Sequence, residues 1–179
     1  MREPDPEIVD RARSGDLIAF ASLIRDAQAD VWRFAYHLTR NRAMADDVTQ
    51  EAFLRAFRSI RAYRGQSKFS SWILRIARNC AIDAYRRTRR EAPMPAEATE
   101  RAVASQTGAS DERLRIEAAI RQLPLDLREP FVVIEVLGFT YLEASTVLGV
   151  KVGTVKSRMF RARAALVRAL TEGDQAREM

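Results

Sequence analysis

The sequence holds a single cysteine and a single histidine in 179 residues. Cys80 therefore has no partner for an internal disulfide. With His37 alone it cannot complete a zinc site, so no metal is expected. HExxH, the phosphate-cradling glycine loop and GxSxG are all missing. An enzyme is not expected, nor a cofactor. Glycine (7) and proline (6) are scarce, which disfavours a turn-rich sheet protein and favours helices. No apolar run, Phe131–Ile134 included, approaches the length of a membrane span. The first residues, MREPDPE, have no apolar segment of the kind a signal peptide needs. A soluble cytoplasmic protein without membrane insertion is the expectation.

Positive charge is present but unevenly placed. The net charge is +6. Residues 72–90 alone carry six arginines against one aspartate, and 151–168 carry six cations and no acid. The rest of the chain is therefore net negative. Two concentrated basic stretches point to nucleic acid rather than to a uniformly solvated surface.

Tyr63–Arg90 combines a small polar loop with a basic helix. The loop holds Arg64, Gly65, Gln66, Ser67, Lys68, Ser70 and Ser71, with Ser70 or Ser71 as a cap for a helix at Trp72. In that helix Ile73, Ile76, Ala77, Cys80 and Ala84 face inward, while Arg75, Arg78, Asn79, Ile82, Arg86 and Arg89 tend outward. Cys80 reads as a small buried hydrophobe. Phe69 and Trp72 could stack on bases, although Trp72 fits the core at least as well.

The flanking chain reads as helices throughout. Glu7–Arg13 forms a turn or two, broken at Ser14-Gly15, and Asp16 can cap the next helix. Leu17, Phe20, Ile24, Ala27, Val31, Phe34 and Leu38 then recur at three- and four-residue spacing as one apolar stripe. Ala43–Ala62 forms the second long helix, burying Val48, Ala52, Phe53, Phe57 and Ile60. Its outer side carries Asp46, Asp47, Gln50, Glu51 and Arg55, either a plain solvated face or an acidic docking surface. Residues 91–110 hold two prolines and many small residues, the composition of a flexible linker. Two small helical domains, 7–90 and 111–171, are expected around it.

In the second domain, Leu114, Ala118 and Leu123 line one helix and Pro124 ends it. Asp126 and Glu129 read as an acidic cap pair, with Pro130 in a first helical turn. Thr140 with Glu143 forms a capping box for a short helix, and Gly149 fits a left-handed stop. A longer helix follows, from about Gly153 to Leu170. Short helix, glycine turn and longer basic helix make a helix-turn-helix. Val155, Met159, Ala162, Leu166 and Leu170 form its buried stripe. Thr154, Ser157, Arg158, Arg161, Ala165 and Arg168 take the opposite side, with no interleaved glutamate. Lys151 to Arg158 are placed for base edges, and Arg161 and Arg163 for phosphates.

At these motifs the chain resembles a known family. LPLDLREPFVV and TYLEASTVLGVKVGTVKSRMFRARAAL look like the fourth conserved region of bacterial sigma factors. DDVTQEAFLRAF looks like their polymerase-docking region, and FSSWILRIARNCAIDAYRR like their promoter-opening region. Motif order, the linker and the lack of a long middle domain resemble the extracytoplasmic-function group. The resemblance implies core RNA polymerase and promoter DNA as partners, duplex at the minus-thirty-five element and single-stranded at the minus-ten element. It assigns polymerase binding to Asp47, Gln50, Glu51 and Arg55. It assigns the minus-ten element to Arg64, Gln66, Ser67, Lys68, Ser70, Arg75, Arg78, Asn79, Arg86 and Arg87, with the loop capturing a flipped base. It assigns the minus-thirty-five element to Lys151, Thr154, Lys156, Ser157, Arg158 and Arg161. It also implies an anti-sigma factor that covers both DNA-binding domains. Two positions depart from the pattern: Ala144-Ser145 stands where the family has an isoleucine-alanine pair, and Pro130 is unusual.

Other classes make different predictions. A stand-alone helix-turn-helix regulator would bind promoter DNA without polymerase and would need a sensor site in residues 1–90, where no receiver-like pattern appears. An adaptor would retain its activity after Arg158→Ala and Arg161→Ala.

Overall fold

The structure, a computed structural model, describes residues 1–91 and 111–175. Among these residues it is all helical: α1 (Pro6–Arg13), α2 (Leu17–Thr39), α3 (Arg42–Ser59), α4 (Phe69–Glu91), α5 (Asp111–Gln122), α6 (Leu125–Phe131), α7 (Tyr141–Leu148) and α8 (Val152–Gln175). A 3-10 turn, Ile60–Ala62, ends α3, and a π-helical turn, Val132–Val136, extends α6. The expected linker, apart from Glu91, lies outside the described residues.

Helices α1 to α4 form one bundle. Asp16 caps α2 by accepting from the Ile18 and Ala19 amides at 2.9 and 3.0 Å. Asn41 does the same for α3 through the Met44 amide. The buried line of α2 is Ala19, Leu23, Ala27, Val31, Phe34, Ala35 and Leu38. Phe34, Phe69, Leu23, Ile73 and Leu74 are the largest side chains sealed here. Each is worth about 1.5–3 kcal/mol relative to exposure. Leu17 and Phe57, expected inside, are 65% and 49% exposed. Leu17 occupies the first helical position, ahead of the buried line, and Phe57 meets Phe20 edge-on at 5.2 Å at the bundle rim.

The cap of α4 is a second correction. The helix begins at Phe69, so Ser70 and Ser71 lie inside its first turn and are buried. Its free amides are satisfied by Glu3, whose carboxylate accepts from Phe69 N at 2.6 Å and Ser70 N at 3.1 Å. A carboxylate suits a helix N-terminus for the charge as well as for the hydrogen bonds.

Helices α5 to α8 form the second core, with Val133, Val147, Val155, Ala144 and Ala162 completely sealed. Leu114 and Ala118 are exposed, and α5 buries Ala119 and Ile120 beside Leu123. The cap pair expected at Asp126 and Glu129 does not form. Pro124 occupies the cap position without a side-chain bond, and Glu129 is committed elsewhere. Pro130 falls late in α6, not in its first turn, just before the wider π turn. Thr140 and Glu143 make the capping box, with Thr140 N donating to Glu143 Oε2 at 2.8 Å. Gly149 sits at φ +66°, a backbone region that favours glycine. At the atypical Ala144-Ser145 pair, Ala144 is sealed and the Ser145 hydroxyl donates to Leu142 O at 2.7 Å. The last helix is longer than expected at its C-terminal end.

The two cores are packed together. α7 lies against α4, and α6 reaches α2. Arg78 donates to Glu129 through Nε and Nη2, both at 3.0 Å. Arg40, the one described non-glycine residue with positive φ, donates to Leu123 O at 3.2 Å. Arg128 is buried in the same seam, where burial and the neighbouring Arg40 push its guanidinium down to about 10.

Candidate nucleic-acid interface

Three surfaces can be built from these elements. The first is the outer face of α3. Asp47 and Gln50 are exposed. Asp46 is held by the Trp32 indole, whose Nε1 donates to it at 2.6 Å. Glu51 accepts from Arg55 Nε at 2.7 Å, and Arg55 Nη1 reaches Asp83 on α4 at 3.1 Å. First the Glu51 bond and then the Asp83 bond raise the Arg55 guanidinium further above its ordinary value. The face is thus acidic at Asp47 and braced to α4 by an arginine between two carboxylates.

The second surface is the loop and α4. Tyr63, Phe69 and Trp72 cluster with ring centroids 5.0 to 6.2 Å apart, and Phe69 is sealed inside. The Tyr63 hydroxyl donates to Ser67 O, which ties the loop back on itself. Trp72, half-buried in this cluster, is core on its inner side, as its position predicts. Arg64, Gln66, Arg75, Asn79, Arg86 and Arg87 are exposed. Ser67 is half-buried and Ser70 is buried. Lys68 pairs with Glu143 of α7 at 2.6 Å, and Arg78 pairs with Glu129. The side chains of Arg89 and Arg90 lie outside the described residues.

An open cleft of about 310 Å³ lies between α3 and α4, lined by Arg55, Arg58, Ser59, Ile76 and Asn79. Arg58 and Ser59 are not among the residues that the sequence motifs single out. Ile76, placed inward by periodicity, lines the cleft. The signal available for Arg58 is its three-residue spacing from Arg55, which puts both on one helix face. The opening is bounded by an amide side chain, an apolar wall and the Arg58 guanidinium, while the Arg55 guanidinium at its edge is held by Glu51 and Asp83.

The third surface is the outer face of α8. Val155, Met159, Ala162 and Leu166 are buried, as the stripe predicts, and Leu170 is half-buried. Lys151, Lys156, Ser157, Arg161 and Arg168 are exposed, with Thr154 and Arg158 half-buried beside them. Arg163 is bound to Glu135 at 2.6 Å, a bond that raises its guanidinium above the ordinary value. Gly149 turns the chain from α7 into this helix, so α7 and α8 meet as a helix-turn-helix. No helix among the described residues is long and apolar enough to cross a membrane, and no group of acids, cysteine and histidine among them could hold a metal ion.

Comparison with known proteins matches the model of Sigma-70 region 2 to residues 23–91 and that of Sigma-70 region 4 to residues 113–166. The chain is similar to the ECF RNA polymerase sigma factor SigM of Mycobacterium tuberculosis, 34% identical over 93% of this chain and 84% of that protein. It is also similar to the RNA polymerase sigma-H factor of Pseudomonas aeruginosa, 36% identical over 94% of this chain and 95% of that one. Among solved structures, it resembles the sigma factor RpoE in complex with the anti-sigma factor NepR from Bartonella quintana. That match has a TM-score of 0.74 and 25% identity, and it covers 85% of this chain and 96% of the other.

Proposed function

Because the chain belongs to the extracytoplasmic-function sigma factors of RNA polymerase, we propose that it docks on core polymerase through α3 and recognises promoters with α4 and α8. Residues 7–90 would form the docking and minus-ten unit, residues 111–171 the minus-thirty-five unit, and 91–110 the linker. The chain acts as a transcription initiation factor, working in the cytoplasm beside the polymerase. Asp47, Gln50, Glu51 and Arg55 make the docking face. Arg64, Gln66, Arg75, Asn79, Arg86 and Arg87 meet the minus-ten strand, together with Ser67, Lys68 and Arg78, whereas Ser70, buried in the first turn of α4, drops out of the contacting set. The loop from Arg64 to Ser71 takes the flipped base. Lys151, Thr154, Lys156, Ser157, Arg158 and Arg161 read the minus-thirty-five duplex.

The observation that carries this reading is the free cationic face of α8, backed by a buried stripe and entered from a glycine-stopped helix. That geometry presents side chains to a major groove. Energetics assign the polymerase a share of the work. Unstacking costs a few kcal/mol per step, and a stacked, captured base returns about 1–3 kcal/mol. A chain of this size traps opened bases and leaves melting to the holoenzyme. An anti-sigma factor would act by covering α4 and α8.

Transcription in vitro with core polymerase, followed by mapping of the start sites, tests the proposal. Specific starts that depend on the added chain are expected. Tight, sequence-specific binding to promoter duplex by the free chain, with no effect on core polymerase, would instead indicate a stand-alone regulator.

A further inference from the structure

Two of the cations assigned above to the minus-ten strand are already occupied by acids of the other core. Arg78 holds Glu129 with two parallel bonds, and the Glu129 side chain is only 3% exposed. Lys68, in the capture loop, holds Glu143 at 2.6 Å. A fork-to-fork arginine–carboxylate contact has the geometry of an arginine–phosphate contact. The bond to Lys68 likewise provides an oxyanion for an ammonium. Helix α7, which carries Glu143, packs against α4.

We propose that Glu129 and Glu143 stand in for DNA phosphates and latch the free chain in a closed state that competes with the minus-ten strand. The strand and the second core then need the same two cations, so each excludes the other from Arg78 and Lys68. Binding that separates the cores, such as docking on a large partner that grips each at its own site, releases both cations together. A ligand shifts such an equilibrium only by its differential affinity for the two states. Partners that contact α4 favour the open one. The acids are not part of the DNA-contacting set, and their removal strengthens strand binding. The proposal rests on the assignment of α4 to the minus-ten strand.

The test uses the free full-length chain and the variant Glu129→Gln/Glu143→Gln. Glutamine at position 143 retains the capping box, because its amide oxygen can accept from the Thr140 amide. Small-angle scattering of the wild type is expected near a radius of gyration of about 16 Å, the value for a compact chain of this length. The variant should be larger, with unchanged far-ultraviolet circular dichroism. Fluorescein-labelled dT20, a probe that requires no promoter sequence, should bind the variant about tenfold more tightly, or about 1.4 kcal/mol. A variant as compact as the wild type overturns the latch. A variant that opens but binds dT20 no better overturns the competition. Transcription with core polymerase then reports separately whether the sigma assignment stands. If the double variant loses helicity, Glu129→Gln and Glu143→Gln are measured singly; at least one is expected to bind dT20 more tightly than the wild type, and no gain in either overturns the proposal.

Discussion

Arg78 on α4 and Glu129 on α6, 51 residues apart, form a two-pronged ion pair with both bonds at 3.0 Å and the carboxylate almost sealed from water. Removing the guanidinium from a buried pair costs about 3–5 kcal/mol when the remaining charge must stay buried. In the proposed open state the cores are apart and water reaches Glu129. The cost is therefore limited to the free energy of closure. Arg78→Ala is expected to raise hydrogen exchange along the α4–α7 seam while amides within each core keep their protection. Uniform loss of protection across both cores would contradict this.

The Lys68–Glu143 contact sets a pH window. Burial acts to raise the Glu143 carboxyl, but the Lys68 ammonium and the Thr140 donors outweigh it and hold the carboxyl below its ordinary 4.5. Its contribution is full above 4.5 and is lost as pH falls through the lowered value. The bond to Glu143, with its charge, raises the Lys68 ammonium above its ordinary 10.5. That contribution is full below 10.5 and is lost as pH rises through the raised value. The contribution of this pair to compactness, read as the difference in scattering between wild type and Glu143→Gln, should be flat between these limits. Glu143→Gln should remove this pair's part of the acid-side change.

On α8, Lys156 and Arg161 are exposed cations on the free face. Removing a side chain that neutralises one phosphate reduces the slope of log affinity against log salt by about 1. Lys156→Ala and Arg161→Ala, assayed as holoenzyme on a mapped promoter, will show which residue meets phosphate and which meets a base. The base-reading residue should change specificity at one position for a cost of about 1–3 kcal/mol.

Gly149 has open space where the methyl group of an alanine would stand, so any penalty there is one of backbone rather than of crowding. Gly149→Ala at φ +66° should destabilise the second core by roughly 1–2 kcal/mol in urea titration. Gly149→Asn should cost less, because asparagine tolerates this region.

Cys80 is 2% exposed, and burial pushes its thiol up. The native chain should be silent to a thiol reagent at mildly alkaline pH and react only as the first core unfolds. Rapid labelling of the folded protein would show that this core opens locally.

Local signals are legible in the sequence itself. Thr140, Glu143, Gly149 and Asp16 act through neighbours within a few residues, and each takes the role its spacing implies. The buried stripe of α8 is legible for the same reason. Leu17 and Phe57 depart from the pattern because periodicity identifies a face and not how far its neighbours extend. The cap of α4 is not legible at all, since Glu3 arrives from 66 residues away. Glu129 reads as a cap of its own helix because nothing in a linear sequence shows an arginine facing it from another core.

The free face of α8 has a temporal consequence. Its cations point outward, whereas Arg78 and Lys68 are held by carboxylates. A closed chain can therefore touch duplex before it can grip an opened strand. If the latch holds, recognition is ordered in time: upstream anchoring comes first and strand capture second. Rapid-mixing traces from separate labels on the two DNA elements should then rise one after the other, whereas simultaneous rises would refute the order.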